Sequence, residues 1–90
     1  MAEVLYCTNI DAMSGFGDYK PQLKEYKKVC EIDGDPDFIF SELNINPRKY
    51  IKYPLPKGVI HTSMSVGDIV KTGGKYLMCA IVGWDEVNVK

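Results

Sequence analysis

A chain of 90 residues is below the size at which proteins divide into two cores, so the sequence predicts a single domain spanning residues 1–90. Its 46% hydrophobic and 26% charged residues are typical of a folded globular protein and exclude the composition of disordered chains. Eleven Lys and Arg against 12 Asp and Glu leave a net charge of −1, which disfavours a protein whose main task is to grip phosphate backbones.

Membrane and disulfide signals are missing from the sequence. The longest apolar run, residues 76–82, is far shorter than the ~20 residues that cross a bilayer. The first residues include an acid and no basic region, so we expect no signal peptide. Cys7, Cys30 and Cys79 are odd in number, widely spaced and set in apolar segments, which favours buried thiols over a disulfide framework or a metal site. We therefore expect a soluble, cytoplasmic protein without a metal or other cofactor.

The chain begins with a predicted strand and a long loop. Residues 3–10 have a β-rich composition and predict the first strand. Residues 11–21 contain glycine, aspartate and proline, so they predict a loop that is long enough to be a candidate binding segment. Its Gly15-Phe16-Gly17 sequence lacks the further glycine and the Lys-Ser/Thr pair of a phosphate-binding loop, and we interpret it as a flexible loop.

The next segment alternates between apolar and charged side chains. Over residues 25–32 the alternation places Tyr26, Cys30 and Ile32 on one face, which predicts a half-buried strand. The strand should end at the Asp-Gly turn of residues 33–34.

A short helix is predicted over residues 36–43. Asp35 suits the N-cap and the following proline suits the first helical position, while Asn44 should end the helix. The alternating acids of this region do not form a calcium-binding helix–loop–helix motif, because that motif requires glycine where Phe38 stands and an acid where Asn44 stands. The buried face should contain Ile39, Phe40 and Leu43.

An irregular stretch is expected after this helix. Asn46-Pro47 predicts one further helical turn, and Pro54 and Pro56 predict an extended path to Gly58. A short strand is predicted at residues 59–62.

The C-terminal part predicts a hairpin and an edge strand. A turn at residues 67–68 leads into a strand, and a tight reversal at 72–74 leads into the apolar run 76–82, which we interpret as a central strand covered on both faces. Gly83 predicts a bulge or a close backbone approach before an alternating edge strand at 84–89. The complete pattern predicts an α+β fold, in which four to five mostly antiparallel strands pack against one short helix.

His61 is the sole histidine and therefore the only candidate for histidine-based catalysis. Ser63 and Ser65 would share its side of a strand, but side chains two residues apart are separated by roughly 6.6–7 Å, beyond hydrogen-bond reach. The sequence places no acid to orient the imidazole. We expect a structural or surface histidine and a protein that is not an enzyme.

Residues 48–57 combine cations with tyrosines. This combination pairs phosphate attraction with base stacking in single-strand nucleic-acid binders, and it equally suits a protein interface. A third interpretation is a solvated loop whose tyrosines cover the edge of the core. The candidate partner-binding residues are Arg48, Lys49, Tyr50, Lys52 and Tyr53.

Several segments together resemble a group of small phage and mobile-element proteins, with the same general order as YodL-like domains. These segments are DPDFIFSELN at 35–44, SMSVGDIV at 63–70, whose Ser-Val-Gly-Asp portion is the most specific, and Gly83-Trp84. The resemblance covers residues 26–86 and implies a phage accessory protein acting inside a bacterial host, with no agreed catalytic residues. Physically, the motif residues are interpreted as structural: turn formers, hydroxyls that bond turn backbone and the end of a strand. They are Ser63, Ser65, Gly67, Asp68, Gly83 and Trp84.

These observations favour a non-enzymatic module that binds a host or phage protein. The contact would use residues 44–57, residues 11–21 or an open sheet edge. The alternative is a single-stranded nucleic-acid binder that uses residues 48–57.

Overall fold

The computed structural model describes residues 1–9 and 20–89. Within them an antiparallel sheet and one α-helix form the predicted α+β fold, while the predicted loop at 11–21, including Gly15-Phe16-Gly17, lies almost entirely outside the described residues. None of the described helices is long and apolar enough to cross a membrane. The elements are β1 (Ala2–Cys7), β2 (Tyr26–Ile32), α1 (Pro36–Ile45), β3 (Ile69–Thr72), β4 (Lys75–Cys79) and β5 (Trp84–Val87), with short 3-10 turns at Leu23–Glu25 and Pro47–Lys49.

The sheet has the strand order β2-β1-β3-β4-β5, and every neighbouring pair is antiparallel. The hairpin between β3 and β4 is confirmed: Gly73 and Gly74 form its turn with φ values of +57° and +78°, which glycine adopts without steric cost. β4 lies inside the sheet between β3 and β5, as predicted for the apolar run at residues 76–82. Tyr76, Leu77 and Met78 are only partly buried, so the expectation that both faces of this strand are covered was wrong.

Both faces of the sheet are covered. Along β1, Val4 and Tyr6 point towards α1, while Leu5 and Cys7 point to the opposite face, as the alternation of a strand requires. Ile39 and Leu43 of α1 are fully buried, as predicted. The core therefore lies mainly between the helix and the sheet, with a smaller cluster on the other side.

A bulge in β2 changes which side chains share a face of that strand. The pairing with β1 shifts between Val4, which faces Cys30, and Leu5, which faces Lys28. One additional residue in β2 reverses the alternation, because side chains change face at every residue. Tyr26 consequently packs on the face away from α1 and Ile32 packs under the helix, so the prediction that they share one face was wrong.

The helix differs from its prediction at its C-terminus. Asp35 is the N-cap, and its carboxylate accepts from the Phe38 amide at 2.8 Å, as predicted. The helix continues to Ile45 and ends at its C-cap, Asn46, so the prediction that Asn44 ends it was wrong. The Asn44 side-chain amide instead donates to the carbonyls of Phe40 and Met64. Phe40 is 37% exposed and is not the core residue that the pattern predicted.

No strand forms at residues 59–62, although this part of the chain is described. Val59 is buried, but the next residue, Ile60, is 76% exposed, and the Val59 amide donates to the Pro56 carbonyl at 3.0 Å. The backbone therefore bonds within its own turn rather than to a neighbouring strand. Single apolar anchors, Ile51, Val59 and Met64, hold this segment against the core.

The predicted strand at residues 76–82 ends at Cys79. The Ala80 amide then donates to the Gly83 carbonyl at 3.1 Å and closes a turn that leaves Ile81 63% and Val82 87% exposed. Gly83 has a φ of +73° and open space around its Cα, so it serves the turn through its backbone conformation. It forms neither the bulge nor the close approach that was predicted.

We expect Ile39→Ala to lower the free energy of unfolding by about 2–5 kcal/mol, because a fully buried side chain leaves a cavity when it is truncated. Ile45→Ala, in the same helix at a 76% exposed position, is the matched control and should change it by no more than about 0.5 kcal/mol. Urea unfolding followed by circular dichroism measures both. Equal losses for the two variants would contradict the placement of the helix on the sheet.

Candidate functional site

A buried carboxylate organises the centre of the molecule. Asp68 is fully buried and directly precedes β3. Its Oδ1 accepts from the Cys7 amide at 2.8 Å, while its Oδ2 accepts from the Ser65 amide at 2.8 Å and lies 2.8 Å from Nε2 of His61. Burial raises the pKa of this carboxyl, and the hydrogen bonds from His61, Cys7 and Ser65 oppose that shift. Asp68 is more than the turn former that the sequence suggested, since it joins β1 to residues 61–65.

His61 has the orienting acid that the sequence did not place. Its ring stacks on the ring of Tyr6, with centroids 4.6 Å apart and planes 10° from parallel, and the Tyr6 hydroxyl donates to the Thr62 carbonyl at 2.6 Å. Because Nε2 faces a carboxylate, which only accepts, Nε2–H is the donor in this hydrogen bond. Nδ1 is buried and has no hydrogen-bond partner among the described residues.

Among residues 1–9 and 20–89, the His61–Asp68 pair has no further part of a nucleophilic site beside it. Such a site needs a hydroxyl or thiol within hydrogen-bond reach of the free imidazole nitrogen. The Ser65 hydroxyl instead donates to the Ser63 carbonyl at 3.3 Å, so it bonds turn backbone as predicted. Within residues 1–9 and 20–89, no three His, Cys, Asp or Glu side chains cluster as a metal site would require. The pair's contacts are those of a structural clamp.

The basic and aromatic residues 48–53 lie together at the end of α1. The Arg48 guanidinium is 4.4 Å from the centroid of the Tyr53 ring, and Tyr53 is 50% exposed. Tyr50 packs against the core, and its hydroxyl donates to the Glu42 carboxylate, a bond that raises the pKa of Tyr50. Lys49 and Lys52 are exposed. Of the two tyrosines, only Tyr53 therefore presents much of its ring to solvent.

A second surface, which we name the aromatic groove, lies between α1 and the turn that connects β4 to β5. It encloses a pocket of about 180 Å³. Its lining residues are Asp37, Phe40, Cys79, Ala80, Ile81, Gly83 and Trp84.

Two contacts between the helix and β5 shape this groove. The Trp84 indole Nε1 donates to Asp37 Oδ1 at 2.9 Å, and the rings of Trp84 and Phe40 meet edge to face with centroids 6.4 Å apart. Asp37 and Phe40 are three residues apart on α1, so they lie on the same side of the helix and both contact the Trp84 indole. Gly83 and Trp84, predicted as a structural motif, thus lie in the groove.

The rim of the groove is apolar and exposed. Ile81 projects from the turn on one side of the groove, and Phe40 stands on the opposite wall. Val82, the next residue of the turn, is also exposed. Scattered exposed apolar side chains are ordinary, but adjoining ones around a concavity characterise binding sites for proteins or ligands. In the part of the chain that the structure describes, the aromatic groove is therefore a candidate binding surface.

Comparison with known proteins finds no relative of this chain. No protein-family model matches the chain, and no curated protein or solved structure is significantly similar to it.

Sequence reasoning found some of these residues and missed others. It selected Asp68 and Trp84, but for turn and strand roles, and it assigned Phe40 and Ile81 to the core. The Ala-Ile-Val-Gly sequence at residues 80–83 gave no signal for the groove, because a short apolar run is typical of a buried strand. No spacing rule would have joined His61 to Asp68.

We expect Asp68→Ala to lower the free energy of unfolding by about 3–5 kcal/mol, because it leaves several buried donors without an acceptor. Asp68→Asn should cost about 1–3 kcal/mol, since the amide oxygen can still accept from Cys7 while the Ser65 amide loses its partner. Asp85→Ala, an exposed acid on β5, is the control and should stay within about 0.5 kcal/mol. Chemical denaturation measures the free energy of unfolding of each variant. If Asp68→Ala were as stable as Asp85→Ala, the structural role of Asp68 would be contradicted.

Proposed function

We propose that this chain is a non-enzymatic protein-binding module whose contact surface is the aromatic groove. The observation that carries the proposal is the exposed apolar rim around a concavity that contains two aromatic rings. Aromatic side chains are enriched at the centres of protein interfaces because they bury a large area at little conformational cost. Among the described strands, β5 is an edge of the sheet, and the backbone groups on its outer side lie next to the groove.

The proposal assigns no reaction to the His61–Asp68 pair. Its support is the lack of a described nucleophile at the free nitrogen of His61. The setting, a phage accessory protein in the cytoplasm of a bacterial host, rests on the sequence resemblance.

Two exposed isoleucines provide a matched test. Ile81 lies on the rim of the groove, whereas Ile60 is 76% exposed elsewhere and does not line the groove. In a pull-down from a lysate of the source organism or its host, we expect a protein that the wild type and Ile60→Lys retain and Ile81→Lys loses, because a lysine at the rim opposes apolar burial. After purification, that protein should shift the fluorescence of Trp84, the single tryptophan of the chain. Retention that is equal for both lysine variants would contradict the proposal.

Single-stranded nucleic-acid binding is the second candidate function. It is favoured by the exposed cations Arg48, Lys49 and Lys52 beside the exposed ring of Tyr53. Two contacts weaken it: Arg48 covers one face of Tyr53, and Tyr50 is held by Glu42.

Titration with labelled oligonucleotides tests this candidate. If three cations contact phosphates, a plot of the logarithm of the association constant against the logarithm of the salt concentration should have a slope of about −2. Each phosphate contact to a single strand contributes about −0.7 to this slope. Arg48→Ser/Lys49→Ser should weaken binding, and Lys24→Ser/Lys27→Ser, which removes two exposed lysines elsewhere, is the control of equal charge. Absence of binding at low salt would eliminate the candidate.

A further inference from the structure

We propose that β5 accepts an extended, basic segment of the partner protein as an additional antiparallel strand, and that one apolar side chain of this segment enters the aromatic groove. This inference rests on the proposed function, because it specifies the chemistry of the partner at the same surface.

The two edges of the sheet are unequal. The edge strand β2 contains a bulge and exposes Lys27 and Lys28, two features that protect an edge against further pairing. The edge strand β5 pairs with β4 through four consecutive residues without a register shift, and no described strand lies on its other side. An additional strand can pair only with a regular edge strand whose outer backbone N–H and C=O groups are unpaired.

The charges on β5 specify a basic partner. Asp85 and Glu86 are both exposed, and Asp37 adds a third carboxylate within the groove. Lys75 lies 3.8 Å from Glu86, but this pair is largely exposed and offsets little of the charge. Opposite charges on directly paired residues stabilise neighbouring strands.

The same charges disfavour a second copy of this chain as the added strand. A two-fold pairing centred on β5 brings Asp85 opposite Asp85, Asp85 opposite Glu86 or Glu86 opposite Glu86, according to the register. Like charges in directly opposed positions are destabilising. A partner with lysine or arginine at these positions avoids this repulsion.

The alternation of β5 fixes the order of the partner residues. Trp84 and Glu86 face the helix side of the sheet, while Asp85 and Val87 face the other side, where Val87 packs against the smaller cluster. An antiparallel segment should therefore read, from its N-terminus, apolar opposite Val87, basic opposite Glu86, basic opposite Asp85 and apolar opposite Trp84. The last of these side chains lies beside the groove.

Synthetic peptides test this pattern directly. We would titrate the full chain with a peptide that contains Val-Lys-Lys-Leu and no aromatic residue, and record the fluorescence of Trp84. We expect a saturable change with this peptide and binding at least about tenfold weaker with the matched Val-Glu-Glu-Leu peptide. An Asp85→Lys/Glu86→Lys variant should reverse this preference. Asp33→Lys, a charge reversal at an exposed site away from β5, should leave it unchanged.

A third peptide separates strand addition from simple filling of the groove. N-methylation of the Val-Lys-Lys-Leu backbone removes its donors but keeps its side chains, so it should abolish binding. Equal binding of the methylated peptide, equal binding of the Lys and Glu peptides, or self-association of the chain through β5 would overturn this inference. None of these results would affect the Ile81 and Ile60 comparison, whereas a failure of that comparison would remove the proposed function as well.

Discussion

The buried carboxylate of Asp68 is the constraint on which the rest of the structure depends. A carboxylate without access to water is stable only where donors surround it, so the Cys7 amide, the Ser65 amide and His61 must all converge on this point. The Asp68 carbonyl in turn accepts from the Cys79 amide at 2.8 Å. This bond sets the position at which β4 ends and the turn that carries Ile81 begins. The geometry of the groove is therefore tied to the same residue that holds the irregular segment against β1.

The parts of the fold that were predictable from the sequence depend on neighbouring residues. The Gly73-Gly74 reversal, the Asp35 cap and the spacing of Ile39 and Leu43 each follow from conformational preferences or periodicity within a few residues. The antiparallel pairing of β3 with β4 and of β4 with β5 also follows from local patterns, because short connections between strands favour antiparallel pairing. Local consistency of this kind explains why the fold class and most elements were correct.

The errors concern interactions between residues that are distant in sequence. The bulge in β2 is defined by its pairing with β1, and the Asp68 clamp reaches Cys7 across 61 positions, so neither leaves a periodic signal. The prediction for residues 80–82, which form the exposed turn after β4, was wrong for a different reason. Ile81 and Val82 have the composition of a buried strand, and hydrophobicity alone does not distinguish a residue that is buried by its own chain from one available to a partner. The candidate site was therefore only partly predictable: Gly83 and Trp84 were selected, but for structural roles, and Phe40 and Ile81 were assigned to the core.

The exposed apolar rim of the aromatic groove and the unpaired edge of β5 have a common explanation under the proposed function. A turn of four residues has no structural need for isoleucine and valine, because glycine and polar residues form such turns with less apolar exposure. An unprotected edge is likewise a hazard in a protein that has no partner. Here both features lie at the same end of the sheet, whereas the opposite edge carries a bulge and lysines. Among the described strands only the β5 edge is free of a bulge, and its acids repel a second copy of the chain, so the proposed strand addition at this end would not produce open-ended chains of the protein.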